Sequence, residues 1–256
     1  NTKGLRHVDI NGVAFYQSPK GTLQLNAFKK EDDGYTDFLN QSVTLTAGGT
    51  VVLARGVHRV IQRQNNVDYP WLGTRAIFKQ SDINVVNFKS PLIDNFKYPK
   101  SSWKLYGKSM YAKGLKHANI HVVSVSGNHM GDAGKSGLLD TIRTLAQYGI
   151  ESVGAGATHN EAYTCKVMGV KNMQFGFLAF NNVPGSIGKA EKSEIGIAWL
   201  DNDALNAISR CKAVSDLVVL MVNWGTEYVH KPREKEVAWA QKCVDYGADI
   251  ILGDQA

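Results

Sequence analysis

An asparagine and a histidine stand side by side in the run Val125-Ser126-Gly127-Asn128-His129-Met130-Gly131-Asp132-Ala133-Gly134, between an apolar strand pattern and a helix pattern that opens Gly137-Leu138-Leu139-Asp140-Thr141-Ile142. The C-terminal end of a strand is where open α/β sheets place their chemistry. An imidazole and an amide in such a Gly-rich turn can ligate a metal and orient a phosphate-like oxyanion. Competing readings of the same region fail on spacing. Ala133-Gly134-Lys135-Ser136-Gly137 is similar to the end of a P-loop, but the motif's first glycine would fall on His129. His117 and His121 have the HxxxH spacing, yet a strand pattern begins at Ile120, so the two do not share a helical face. Ser126 and Ser136 lack a His and acid at a spacing readable as a hydrolase triad.

The turn needs a scaffold, and alternating strand and helix patterns supply one from about residue 41 onward. Strand patterns cover 42–46 and 51–53, interrupted by Gly48-Gly49, then 83–88, 120–125, 151–153, 164–168, 173–180, 216–222 and 249–252. Helix patterns cover 69–79, 109–117, 135–148, 201–211 and 232–246. In 135–148 the apolar positions 138, 139, 142 and 145 share one face, and Gly149 follows the end. In 232–246 a proline sits in the first turn, Gly247 follows the end, and Val237, Ala240, Cys243 and Val244 form the stripe to be buried. Strands joined by crossover helices predict right-handed βαβ units in a parallel or mixed sheet. Residues 1–40 read differently: 13–16 and 22–25 flank a Ser-Pro-Lys-Gly turn as a hairpin. The expected division is a β-rich N-terminal extension, 1–40, and a main domain, 41–256. The chain stops directly after a strand, so this domain is expected to continue beyond Ala256.

Composition sets the outer bounds. The chain has 256 residues, 43% of them hydrophobic and 20% charged, which suits a folded chain with a sizeable core. No apolar run is long enough for a transmembrane helix. The net charge of +6 is scattered, apart from a modest cluster at Lys97, Lys100, Lys104 and Lys108. No basic stripe or nucleic-acid motif accompanies it, so nucleic acid is not an expected partner, and an anionic polymer or acidic surface fits a basic face better. The three cysteines, at 165, 211 and 243, match neither a zinc knuckle nor a CxxC pair. An odd count leaves open one bridge plus one free thiol, and Cys243 falls on the buried side of its helix.

Six blocks then carry a family resemblance. The stretch 126–141 resembles A-N-N-H-x-x-D-x-G followed by G-L-x-D-T, and Gly149-Ile150-Glu151-Ser152-Val153-Gly154-Ala155-Gly156 resembles G-I-x-x-V-G-A-G. Asn223-Trp224-Gly225-Thr226-Glu227-Tyr228 stands where the pattern has H-W-G-x-E-Y, and Gly247-Ala248-Asp249-Ile250-Ile251-Leu252-Gly253 resembles G-A-D-x-V-I-G. Val51–Val57 and Asn87–Leu92 resemble the openings G-D-V-M-L-A-R-G-V and N-L-E-x-P-L. Taken in order over 43–256, these blocks resemble the CapA family of capsule and poly-γ-glutamate synthesis proteins with a metallophosphatase-like domain.

The resemblance implies an α/β fold, a metallophosphatase-like four-layer α/β/β/α sandwich with mixed sheets. It also implies an extracellular or cell-envelope protein linked to an anionic polymer. In the family the acid after the opening glycine, the Glu of N-L-E, the Asn-His pair, the His of H-W-G and histidines after the last strand line one cleft, a metal and phosphate-type site. Carried over, Asn128, His129 and Asp132 are the candidate catalytic residues, and Asn87, Asn128, His129, Glu227 and Asp254 the candidate ligands for a divalent Mn, Zn or Fe ion. This chain departs at Thr50, Lys89 and Asn223, and Gly127 replaces the first Asn of N-N-H. A threonine removes a ligand charge, and a lysine puts an ammonium where a cation belongs. Lys89 is either an exposed lysine on a loop or pairs with Asp254 or Asp132, filling the vacant metal site with an internal ion pair. Two functions follow: a non-catalytic polymer-binding or structural subunit, or an active metal-dependent hydrolase or transferase. The N-terminal β segment is a candidate homo-oligomer contact, because an open strand edge docks other strands.

Overall fold

The computed structural model describes residues 42–97, 103–229 and 231–254, together with the backbone of residues 6–10, 13–17 and 24–29. The turn expected at 18–21 lies outside the described residues. The N-terminal strands are β1 (Arg6–Ile10), β2 (Val13–Gln17) and β3 (Gln24–Lys29). They form an antiparallel meander, and β3 pairs antiparallel with β4 (Val43–Val51). The strands of the extension therefore continue the sheet of the main chain.

After β4 come α1 (Arg55–Gln64), α2 (Arg75–Phe78), β5 (Ile83–Phe88), α3 (Ala112–His117), β6 (Val122–Ser124), α4 (Gly134–Gln147) and β7 (Glu151–Val153). Strands β4, β5, β6 and β7 pair in parallel in that order. The second half contains β8 (Ala155–Gly156), α5 (His159–Ala162), β9 (Lys166–Val170), β10 (Met173–Asn181), β11 (Gly196–Ile197), α6 (Asn202–Lys212), β12 (Leu217–Asn223), α7 (Glu234–Asp245) and β13 (Ile250–Asp254). Its sheet runs β13-β12-β10-β9, parallel except for the β9–β10 hairpin, and β8 and β11 form a small ribbon.

Burial explains the layering. Every residue of β5 (INVVNF) and β12 (LVVLMVN) is buried, as expected of parallel strands covered on both faces. Ile83 and Val85 face the other sheet and meet Phe175, Phe177, Val219 and Met221. Val86 and Phe88 face outward onto Ile61, Leu115, Leu138 and Leu145. On the second sheet Leu178, Phe180, Leu220 and Val222 face outward onto Leu205, Ile208 and Cys243. The result is the expected four-layer α/β/β/α sandwich. Each fully buried Val, Leu, Ile or Phe contributes about 1.5–3 kcal/mol to holding the layers together.

Several elements differ from the pattern reading. The two strand pieces around Gly48-Gly49 are one strand with a register shift between Ala47 and Thr50. Gly49 has φ +63°, and a Cβ on Gly48 would lie 2.8 Å from the Phe78 ring. The pair bends the strand rather than ending it. The helix pattern at 69–79 is a 3-10 turn, Tyr69–Trp71, followed by α2, and the pattern at 109–117 is likewise a 3-10 turn, Ser109–Tyr111, before α3. The pattern reading passed over α1, because in RGVHRVIQRQ Ile61 is the buried residue. Cys165 and Cys211 form a disulfide that ties the segment before β9 to α6, and Cys243 is a buried free thiol. No helix among the described residues is long and apolar enough to cross a membrane.

Candidate functional site

Parallel strands deliver their C-terminal ends to the same edge of the sandwich. On the first sheet Thr50 pairs with Asn87, and Asn87 with Ser124; on the second, Asn181 pairs with Asn223, and Asn223 with Asp254. The turn carrying Asn128 and His129 leaves β6 at this edge. The two rows face each other because β4 and β13 lie side by side.

Side chains bridge the rows in two places. Lys89, just past β5, places Nζ 3.3 Å from Asp254 Oδ2, and the two side chains are only 9% and 4% exposed. The Thr50 hydroxyl donates to the other oxygen of Asp254. Burial pulls the Lys89 ammonium below the usual lysine range, and the attraction of Asp254 and Glu227 offsets only part of that. The second bridge is made of amides: Asn223 Nδ2 donates to Asn181 Oδ1 at 2.7 Å and to Asn128 Oδ1 at 3.4 Å. Asn223 Oδ1 is buried and has no hydrogen-bond partner among the described residues.

His129 and Asp132 form a third unit. The ring Nδ1 lies 2.8 Å from Asp132 Oδ2, which also accepts the Leu105 amide at 2.6 Å. Burial pushes the Asp132 carboxyl up, but the hydrogen bonds from His129 and the Leu105 amide work against it, and the group is held below its ordinary value. A carboxylate only accepts, so Nδ1 carries the proton and Nε2 is the nitrogen left for other chemistry. The turn is braced from above: Asn128 O accepts both Ser186 N at 3.0 Å and Ser186 Oγ at 3.1 Å. Gly185 makes that approach possible, since a Cβ there would lie 2.1 Å from Asn128 O.

The structure thus gathers Thr50, Lys89 and Asp254 into one cluster, Asn128 and Asn223 into another, and His129 with Asp132 into a third. Asn87 is buried at the strand edge between Thr50 and Ser124. Glu227 is exposed on the loop after β12 and acts on Lys89 through its charge. His117 and His121 have separate partners, Asp68 and the Asn84 amide. Sequence reasoning missed Asn181, Gly185 and Ser186; the polar Asn181-Asn182 pair closing the apolar run of β10 was a usable signal. Beside Asp254 opens a cavity of about 450 Å³ whose lining includes Trp224, Val229, Lys231, Arg233 and Val237.

These donors do not fit the divalent metal that the resemblance implies. The buried carboxylate, Asp254, is engaged by an ammonium, and the remaining side chains at this edge are chiefly neutral amides and one imidazole already oriented by Asp132. Among the described residues, no three His, Cys, Asp or Glu side chains gather as a metal site. A divalent ion needs several anionic or imidazole donors converging on it.

The sequence profile of the bacterial capsule synthesis protein family PGA_cap matches residues 44–256. The chain belongs to this family. Among PGA_cap relatives, the capsule biosynthesis protein CapA of Bacillus anthracis is 31% identical over 225 residues, covering 84% of this chain and 54% of that protein. The PGA biosynthesis protein CapA of Bacillus subtilis (strain 168) is 30% identical over 209 residues, covering 80% of this chain and 55% of that protein. The chain spans about half the length of these curated relatives. Among solved structures, the NAD nucleotidase NadN of Haemophilus influenzae aligns over 98% of this chain and 35% of its own, with a TM-score of 0.46 and 11% identity.

Proposed function

We propose that this chain is an extracellular or cell-envelope component of capsule or poly-γ-glutamate-type polymer synthesis. In this reading its cleft binds an anionic polymer or envelope component rather than hydrolysing it. The observation that carries the reading is the Lys89–Asp254 pair, which fills the point where strand ends of both sheets converge. The names of the relatives supply the polymer. The Cys165–Cys211 bridge supports an oxidising compartment, because such bonds persist outside the cytosol. An assembly role is supported by β1, which pairs with β2 alone among the described residues and so forms a sheet edge.

The test is to titrate the protein with poly-γ-glutamate of defined length and follow both binding and chain length. Saturable, salt-sensitive binding with no shortening of the polymer is expected. Polymer cleavage, or turnover of a phosphoester, that His129→Ala abolishes would instead establish the second reading, an active metal-dependent hydrolase or transferase. That reading is favoured by one observation, the His129–Asp132 pair, which retains an oriented imidazole. The assembly role has a separate check: Val8→Pro in β1 should lower the sedimentation coefficient of any oligomer, and an unchanged profile removes this strand from the contact.

A further inference from the structure

We infer that Lys89 and Gly127 form one device that carries the cleft's bridging cation on the polypeptide itself. Lys89 reaches from the end of β5 in the first sheet to Asp254 of β13 in the second, and Asp254 is also held by Thr50 of β4. Three strand ends are thus joined through one carboxylate, the role a bound divalent ion plays when it bridges strand ends. An ammonium at that carboxylate repels a dication and removes its ligand at the same time.

The lysine is accommodated because residue 127 has no side chain. A Cβ on Gly127 would lie 3.0 Å from Lys89 Cγ, 3.5 Å from Cε and 3.8 Å from Cδ. The stem therefore runs along the space where any side chain at 127 would stand. Packing of this kind is sensitive to a single added carbon. Gly127 precedes Asn128 and His129 directly, so the lysine stem also supports the turn that presents them. Glycine at 127 thus leaves the Lys89 stem its course, and a side chain there would press on Cγ.

The inference rests on the reading of a non-hydrolytic cleft, but its test uses no polymer, so the two fail separately. The probe is Mn²⁺ alone, added to the chain in isothermal titration and in thermal melts with and without EDTA. Wild-type protein should show no saturable binding and no change in Tm. In Lys89→Glu/Gly127→Asn, Mn²⁺ at about a hundred times its dissociation constant should raise Tm by about 5 °C or more, and EDTA should reverse it. A second cycle does not depend on that variant folding: Gly127→Ala should lower Tm in the wild type and much less in Lys89→Ala, where the stem is gone. One equivalent of Mn²⁺ on the wild type overturns the inference. So does a folded double variant blind to Mn²⁺, or an equal effect of Gly127→Ala in both backgrounds.

Discussion

The Asn128 carbonyl is held by Ser186 through both its amide and its hydroxyl, at 3.0 and 3.1 Å, so a loop leaving the second sheet clamps a turn leaving the first. The close approach depends on Gly185, directly before the serine, where a Cβ would sit 2.1 Å from that same carbonyl oxygen. Gly185→Ala should therefore destabilise the protein by about 1–3 kcal/mol, the usual cost of overpacking. It should also shift the NMR resonances of the His129 ring. A variant with unchanged urea midpoint and ring signals would mean that the clamp is loose.

Asp132 links this turn to acid stability. Its native carboxyl titrates below its ordinary value, against a reference of about 3.9 in the unfolded chain. A depressed native value contributes stability in full above the unfolded value, and the contribution is lost as pH falls through the native one. Asp132→Asn should thus cost about 1–3 kcal/mol at pH 7 through its hydrogen bonds. The gap between wild type and variant should narrow as pH falls below about 4, the unfolded-chain value. Urea melts at pH 7, 5 and 3 give the comparison, and a gap as large at pH 3 as at pH 5 contradicts the assignment.

Breaking the buried ion pair from one side should be worse than removing both partners. Asp254→Ala takes the carboxylate 3.3 Å from the buried Lys89 ammonium away and is expected to cost about 3–5 kcal/mol, whereas Lys89→Met/Asp254→Leu should cost far less. Equal losses in the single and double variants, measured by denaturant unfolding, would show that the charges do not matter to each other.

The cysteines give a chemical count. Burial pushes the Cys243 thiol up to about 11, so it should be unreactive toward a thiol reagent in the native protein at pH 8. One thiol should react after denaturation without reductant, and all three after reduction. Replacing Cys165 and Cys211 with serine should lower stability by about 2–4 kcal/mol, since the bridge spans a sequence separation of 46 residues. Native reaction at Cys243, or more than one unreduced thiol, counts against this pairing.

Much of the fold was legible because its strands are unusually pure. Runs such as INVVNF and LVVLMVN admit little besides buried parallel strands, and the crossover helices between them follow from spacing. What escaped was local compensation. Helix α1 presents Val57, Val60 and Ile61 at helical spacing but fully buries only Ile61, and the bend at Gly48-Gly49 looks like a break until Phe78 is seen packing on it. At the site, the substituted positions Thr50 and Lys89 could be named from the blocks, and Asp254 was one of two partners weighed for the lysine. The space left by Gly127 was not readable, because it depends on which atoms of a distant side chain run past it. Nor was the Ser186 clamp, which comes from a loop without a pattern of its own.

The amide row Asn128–Asn223–Asn181 bears on where such a protein can work. Carboxamides neither gain nor lose a proton over any pH a cell surface meets, so this wall of the cleft offers the same donors and acceptors in acid and in base. Under the proposed envelope reading, this part of the cleft's recognition stays constant in surroundings the protein does not buffer.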